Sequence, residues 1–244
     1  MAFDVGNRLI AAIDVATAAQ ADAYLASLGG VPSFVKLGLE LFCAVGPGYV
    51  REVVARGSRV MLDLKLHDIP ETVGRATLQL AGLGVELCTV HAGAPAMVAA
   101  AVHAATQYAT QHPAARPMQI LAVTVLTSMT AEDVAVVNGA TVDLGAVVAA
   151  RAKMAVQAGA HGLVASAHEV TMLRGIVPAA TLLVTPGIRP AGAALHDQKR
   201  VMTPAAARAA GADLIVVGRP LRDATSSRDA AQSIVAELTE TKTV

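Results

Sequence analysis

Along this chain, short apolar runs rich in Val, Ile and Leu alternate with longer alanine-rich stretches, recurring roughly every 20 to 30 residues. The runs fall at residues 9–15, 34–39, 59–66, 87–91, 119–126, 162–165, 181–185 and 214–218. Both faces of most runs are apolar, the pattern of parallel strands covered by helices. The stretches between them carry helix punctuation. Thr17 is placed to cap a helix toward Leu28 that Gly29-Gly30 ends. Pro70 suits the first turn of a helix that runs toward Leu83 and stops at Gly84. Thr203-Pro204 pairs a cap with a first-turn proline ahead of Gly211. Eight β–α units without a break in composition predict one α/β domain over residues 1–244, a (β/α)8 TIM barrel. The alternative is an open doubly wound sheet, but no G-x-G-x-x-G follows the first run.

One run breaks the apolar pattern. The segment beginning at Val60 ends in Asp63-Leu64-Lys65-Leu66-His67-Asp68-Ile69-Pro70. Asp63 and Lys65 are two apart, so a strand points them the same way and sends Leu64 and Leu66 the other. His67 falls off that face and reads as structural. Opposite charges on one face of a core strand cost several kcal/mol in desolvation unless they are well paired. Chemistry is therefore expected here.

Other polar groups sit at the ends of the predicted strands or in the loops after them: Asp14, Lys36, His91, Thr124 and Thr127, Arg189 and Arg219. A barrel builds its site from those ends. Singly, each has an ordinary reading; Asp14 could cap a helix and Lys36 could snorkel. Together they imply a ligand. Lys36, Asp63, Lys65 and Asp68 read as a row of alternating charge in which carboxylates hold Lys65 protonated. Such an ammonium can hand a proton to a carbanion, and Asp63 can repel an anionic substrate group. A structural ion-pair network is the competing reading. Gly218-Arg219, after the eighth strand, joins a close-approach backbone N–H to a planar cation and suits a phosphate, with Arg189 as a second cation. Residues 127–142 form a long loop, partly helical around residues 131–136. Residues 187–202 form another, a lid candidate or a plain surface excursion.

Composition narrows the partners. Lys+Arg and Asp+Glu are 19 each, aromatics are 2%, and no basic block occurs, so nucleic-acid binding is not expected. Charged residues are only 16%, which hints at surface buried against a second subunit. Asp14 interrupts the apolar N-terminal segment, and no long uncharged run follows, so a membrane or secretory role is not expected and a cytoplasmic location is. Cys43 and Cys88 lack metal-ligand spacing and read as buried core thiols. His168-Glu169 has no partner at H-E-x-x-H spacing. Asp63 and Asp68 could hold magnesium, but Lys65 between them argues against it, so no metal is expected.

These ordered motifs resemble the bacterial type of the orotidine 5′-phosphate decarboxylase family over nearly the whole chain. Besides residues 63–70, the resemblance rests on Ala12-Ile13-Asp14, Val35-Lys36-Leu37-Gly38, Thr89-Val90-His91-Ala92 and Leu126-Thr127-Ser128. It continues through Thr185-Pro186-Gly187-Ile188-Arg189-Pro190, Asp197-Gln198-Lys199-Arg200 and Val217-Gly218-Arg219-Pro220. The resemblance implies cofactor-free decarboxylation of orotidine 5′-monophosphate to UMP, the last step of de novo pyrimidine synthesis. It implies that Asp63 presses on the substrate carboxylate and Lys65 protonates C6. Asp68, Ile69 and Thr72 would cross a homodimer interface into the neighbouring site. Asp14, Lys36 and Thr72 would hold the ribose hydroxyls, and Thr127 would read the pyrimidine edge. Pro186 would line the substrate site, and Arg189, Gln198, Gly218 and Arg219 would grip the phosphate and close the lid. The stretch Ala193-Ala194-Leu195-His196 departs from any recognisable pattern, which leaves the lid contacts less defined than the core charges. A magnesium-dependent sugar-phosphate decarboxylase or aldolase of the same superfamily is the same-fold alternative. A non-catalytic nucleotide-binding barrel is the other.

Overall fold

The computed structural model describes residues 8–190 and 202–239. Eight parallel strands close into a barrel in chain order. They are β1 (Leu9–Ile13), β2 (Phe34–Gly38), β3 (Arg59–Leu66), β4 (Leu87–His91), β5 (Gln119–Val123), β6 (Gly162–Val164), β7 (Leu182–Thr185) and β8 (Leu214–Val217). The helices between and after them are α1 (Ala18–Leu28), α2 (Leu39–Ala55), α3 (Pro70–Ala81), α4 (Pro95–Gln111), α5 (Ala131–Asn138) and α6 (Leu144–Gln157). Then come α7 (Val170–Arg174), α8 (Pro204–Ala210), α9 (Arg219–Arg222) and α10 (Ser227–Thr239). The barrel expected from the sequence is the one observed.

Helix ends follow the side chains that can satisfy free backbone groups. Thr17 accepts from the Gln20 N–H at the start of α1, and Gly29 ends it with φ 57°. Thr203 accepts from the Ala206 N–H ahead of α8. The α3 helix stops at Ala81 rather than Leu83, because a tight turn from Leu80 to Gly84 takes over. Cys88 is buried as expected, whereas Cys43 is exposed, lying off the Leu41, Tyr49, Val50 and Val53 face that α2 buries.

Two apolar layers hold the barrel. The larger lies between strands and helices, and Leu64 and Leu66 pack against it. The smaller fills the interior with Ile10, Phe34, Met61, Leu87, Leu121 and Leu214, then Ala12, Val123, Val164, Val184 and Val216. Period-two alternation continues each inward row toward the C-terminal ends, where it turns polar: Ile10, Ala12, Asp14 on β1 and beyond, Phe34 and Lys36 on β2, Met61 and Asp63 on β3. The site begins where the interior core stops. At the opposite end, the Arg59 guanidinium lies 4.3 Å over the Phe34 ring and bonds Glu86 at 2.8 and 2.5 Å. Arg116 reaches the same carboxylate at 2.7 Å and completes that closure.

Gly162 sits where the interior leaves no room for a side chain. A Cβ there would lie 2.7 Å from Leu121 Cδ2, Leu182 Cβ and the Leu182 carbonyl oxygen. Gly162→Ala is expected to lower unfolding free energy by about 1–3 kcal/mol, the usual cost of overpacking. Urea unfolding checks this, and an unchanged midpoint would contradict it.

Candidate active site

The C-terminal mouth of the barrel is a cavity of about 390 Å³. Adjacent strands deliver its charges in alternating sign. Lys36 Nζ donates to Asp14 Oδ1 at 2.7 Å and lies 3.6 Å from Asp63 Oδ2. Lys65 Nζ donates to the same Asp63 oxygen at 2.8 Å. The order Asp14, Lys36, Asp63, Lys65 is set by strand register, which pairs Ala12 with Lys36 and Gly38 with Asp63. Gly38 also makes room: a Cβ there would lie 3.1 Å from Asp14 Oδ1 and 3.3 Å from Lys36 Nζ.

The backbone at Lys65 is not that of a regular strand. Its φ is 49°, alone in that region among the described non-glycine residues, a conformation that costs of order 1–3 kcal/mol. The β3–β4 register shifts between Leu62 and Leu66. Asp63 and Lys65 do share the cavity face, but a bulge delivers Lys65 rather than simple alternation. Thr89 meets both groups from β4. Its hydroxyl donates to Asp63 Oδ1 at 2.9 Å and accepts from the Lys65 N–H at 2.9 Å.

Burial alone would raise the Asp63 pKa. The ammonium charges of Lys36 and Lys65 and the bonds from Lys65 and Thr89 outweigh it and hold the carboxyl below its ordinary range. Burial pushes the His91 imidazole down, helped by His67, Lys65 and Arg151 and opposed by Asp63. The His67 ring lies 5.3 Å from His91 and does not line the cavity. Burial, then the Asp63 charge, pushes the Cys88 thiol up to about 12, which leaves it inert as a nucleophile.

Thr127, Pro186, Arg189, Gly218 and Arg219 line the same cavity. Arg189 is buried, and its N–H bonds the Met202 carbonyl at 3.0 Å. With Asp14, Lys36, Asp63 and Lys65, nine of the expected site residues thus converge. Three do not. Asp68, Ile69 and Thr72 are exposed outside the cavity, and Ile69 is 64% exposed. Asp68 does not extend the charge row within its own chain; its carboxylate accepts from the adjacent Ile69 N–H at 2.6 Å. Gln198 lies outside the described residues. Among described residues, no group of three His, Cys, Asp or Glu side chains is arranged to hold a metal.

A model of the "Orotidine 5'-phosphate decarboxylase / HUMPS family" matches residues 7–234. The chain belongs to this family. It is 49% identical over 233 residues to the orotidine 5'-phosphate decarboxylase of Anaeromyxobacter sp. (strain K), covering 95% of this chain and 98% of that protein. The enzyme of the same name from Bradyrhizobium sp. (strain BTAi1 / ATCC BAA-1182) is 46% identical over 232 residues, 95% of this chain and 91% of that one. The crystal structure of orotidine 5'-phosphate decarboxylase from Lactobacillus acidophilus superposes with a TM-score of 0.85 at 34% identity, covering 96% of this chain and all of that one.

Two residues at or beside the cavity of this family member were given no role in the sequence reading. Arg222 lines the cavity, with Asp223 held at 2.8 Å and the Asp14 carbonyl at 3.4 Å. Thr89 lies behind Asp63. Counting Leu87, Thr89 and His91 as one inward row would have placed it, and i, i+3 spacing from Arg219 would have flagged Arg222.

An Asp held below its ordinary range stabilises the fold above its unfolded pKa of about 3.9. That contribution is lost as pH falls through the native value. Lys36→Met removes one cation from Asp63, so its urea midpoint is expected to fall less than the wild-type midpoint between about pH 6 and about pH 3. Equal losses would contradict the pairing.

Proposed function

We propose that this chain decarboxylates orotidine 5′-monophosphate to UMP and CO2 without a cofactor, as the last step of de novo pyrimidine synthesis. The observation that carries the reading is Asp63 Oδ2, shared by Lys65 at 2.8 Å and Lys36 at 3.6 Å inside a cavity whose far rim holds Arg189 and Arg219. Phosphate on those arginines directs the pyrimidine toward the charge row. Asp63 then faces the substrate carboxylate, and their repulsion is relieved as the C6–carboxylate bond breaks. The electron pair stays on C6 as CO2 leaves, Lys65 gives C6 a proton, and solvent restores the lysine. Asp14 and Lys36 hold the ribose hydroxyls, Thr127 meets the pyrimidine edge and Pro186 packs beside the substrate. Gly218 and Gln198 add to the phosphate grip. Binding energy spent on the remote phosphate closes the site and excludes water from the charges.

The reading includes a homodimer in the cytoplasm. Asp68, Ile69 and Thr72 are exposed away from their own cavity, as groups offered to a neighbouring subunit would be. A magnesium-dependent sugar-phosphate reaction fits less well. Asp63 already takes two ammonium groups and a hydroxyl, which compete with any cation for its lone pairs.

Three expectations follow. Orotidylate turnover, read by ultraviolet absorbance, persists in EDTA; loss on chelation would favour the magnesium reading, and binding without turnover a sensor. Lys65→Ala lowers kcat by about 10⁴-fold or more with the fold intact, and near-normal activity would sink the proton-donor role. Mixing inactive Lys65→Ala and Asp68→Ala chains restores about a quarter of wild-type activity, because each mixed dimer rebuilds one intact site. No recovery would argue against sharing.

A further inference from the structure

We propose that Thr89 is a positioning residue whose single hydroxyl locks Asp63 and Lys65 to each other. Where its effect is read through activity, the inference rests on the decarboxylation proposed above. A hydroxyl has one proton and two lone pairs. Thr89 gives the proton to Asp63 Oδ1 and takes the Lys65 N–H on its oxygen, both at 2.9 Å. Asp63 is thereby left with Oδ2 facing the ammonium groups.

The bond to Lys65 has a specific cause. Between Leu62↔Cys88 and Leu66↔Val90, β3 advances four residues while β4 advances two, and the ladder lapses. The Lys65 N–H lies in that gap, at φ 49°, and Thr89 supplies the acceptor that β4 backbone would otherwise provide. Valine would fill the same volume but could make neither bond.

Thr89 has no exposed surface and does not line the cavity. It cannot touch substrate, so its influence on the reaction passes through its two partners. The charged and titratable groups around Asp63 come from every neighbouring strand: Lys36 on β2, backed by Asp14 after β1, Lys65 on β3, and Cys88 and His91 on β4 with His67 beside His91.

The test compares full-length wild type with Thr89→Val and Thr89→Ser on orotidine 5′-monophosphate, with circular dichroism to verify folding. Thr89→Val is expected to lower kcat about 10- to 100-fold while KM moves less than about threefold, since geometry rather than ground-state binding is lost. The acidic limb of its kcat–pH profile moves to higher pH, because Asp63 loses a bond that favours its charged form. Thr89→Ser restores kcat to within about threefold of wild type. Wild-type kcat and pH profile in Thr89→Val, or a serine variant as slow as the valine one, would overturn the inference. If Thr89→Val does not fold, Thr89→Ala takes its place. If wild type does not decarboxylate the nucleotide, that reading fails separately. Carbon-13 titration of the Asp63 carboxyl then decides: an upward move on losing the hydroxyl supports the lock, and an unchanged titration overturns it.

Discussion

Asp63 is partly buried in the mouth of an apolar barrel and stays ionised because two ammonium groups converge on one of its oxygens. Much of the site depends on that sharing. Taking isolated charges out of water costs several kcal/mol per ion, and mutual attraction offsets this only when geometry is tight. Here geometry comes from the barrel itself. Closure of parallel strands in register brings β1, β2 and β3 side by side, so their inward residues meet in a fixed order of sign. An open sheet with the same sequence pattern could flex those distances. A closed one cannot without breaking its interior packing.

The fold separates support from chemistry along each strand. Lower inward positions are apolar and fill the barrel, upper ones are polar and line the cavity, and the outward row packs on helices. Arg189 and Arg219 line the same mouth as the Asp63–Lys65 pair. In the proposed reaction, binding energy gathered at those arginines holds a substrate against Asp63 that would otherwise be repelled.

Much of this was legible in the chain. Apolar runs and their punctuation define the eight strands, and the Asp-x-Lys spacing marks the reactive face. Other features were hidden for physical reasons. Lysine carries no sign that it will adopt φ 49°, so the bulge at Lys65 could not be read from β3 alone. Thr89 stood in the sequence only as part of Thr89-Val90-His91-Ala92, and its hydroxyl gains meaning only through that bulge. Cys43 was read as core, but the turn phase of α2 sets it outward. Asp68 was read into the charge row, yet beyond Leu66 the strand ends and the side chain turns to its own backbone. The reach proposed for it toward another subunit would belong to assembly, which no single-chain periodicity encodes.

The central claim is that Lys65, held in place by Asp63, exchanges a proton with C6 of the pyrimidine. Protonation and its reverse pass through one transition state, so the same lysine must also remove a proton from C6 of bound product. Incubating UMP with the protein in deuterium oxide and following the H6 signal by proton NMR measures that step directly. The account predicts exchange above the buffer rate with wild type and none above it with Lys65→Ala. Equal exchange by both proteins would contradict it.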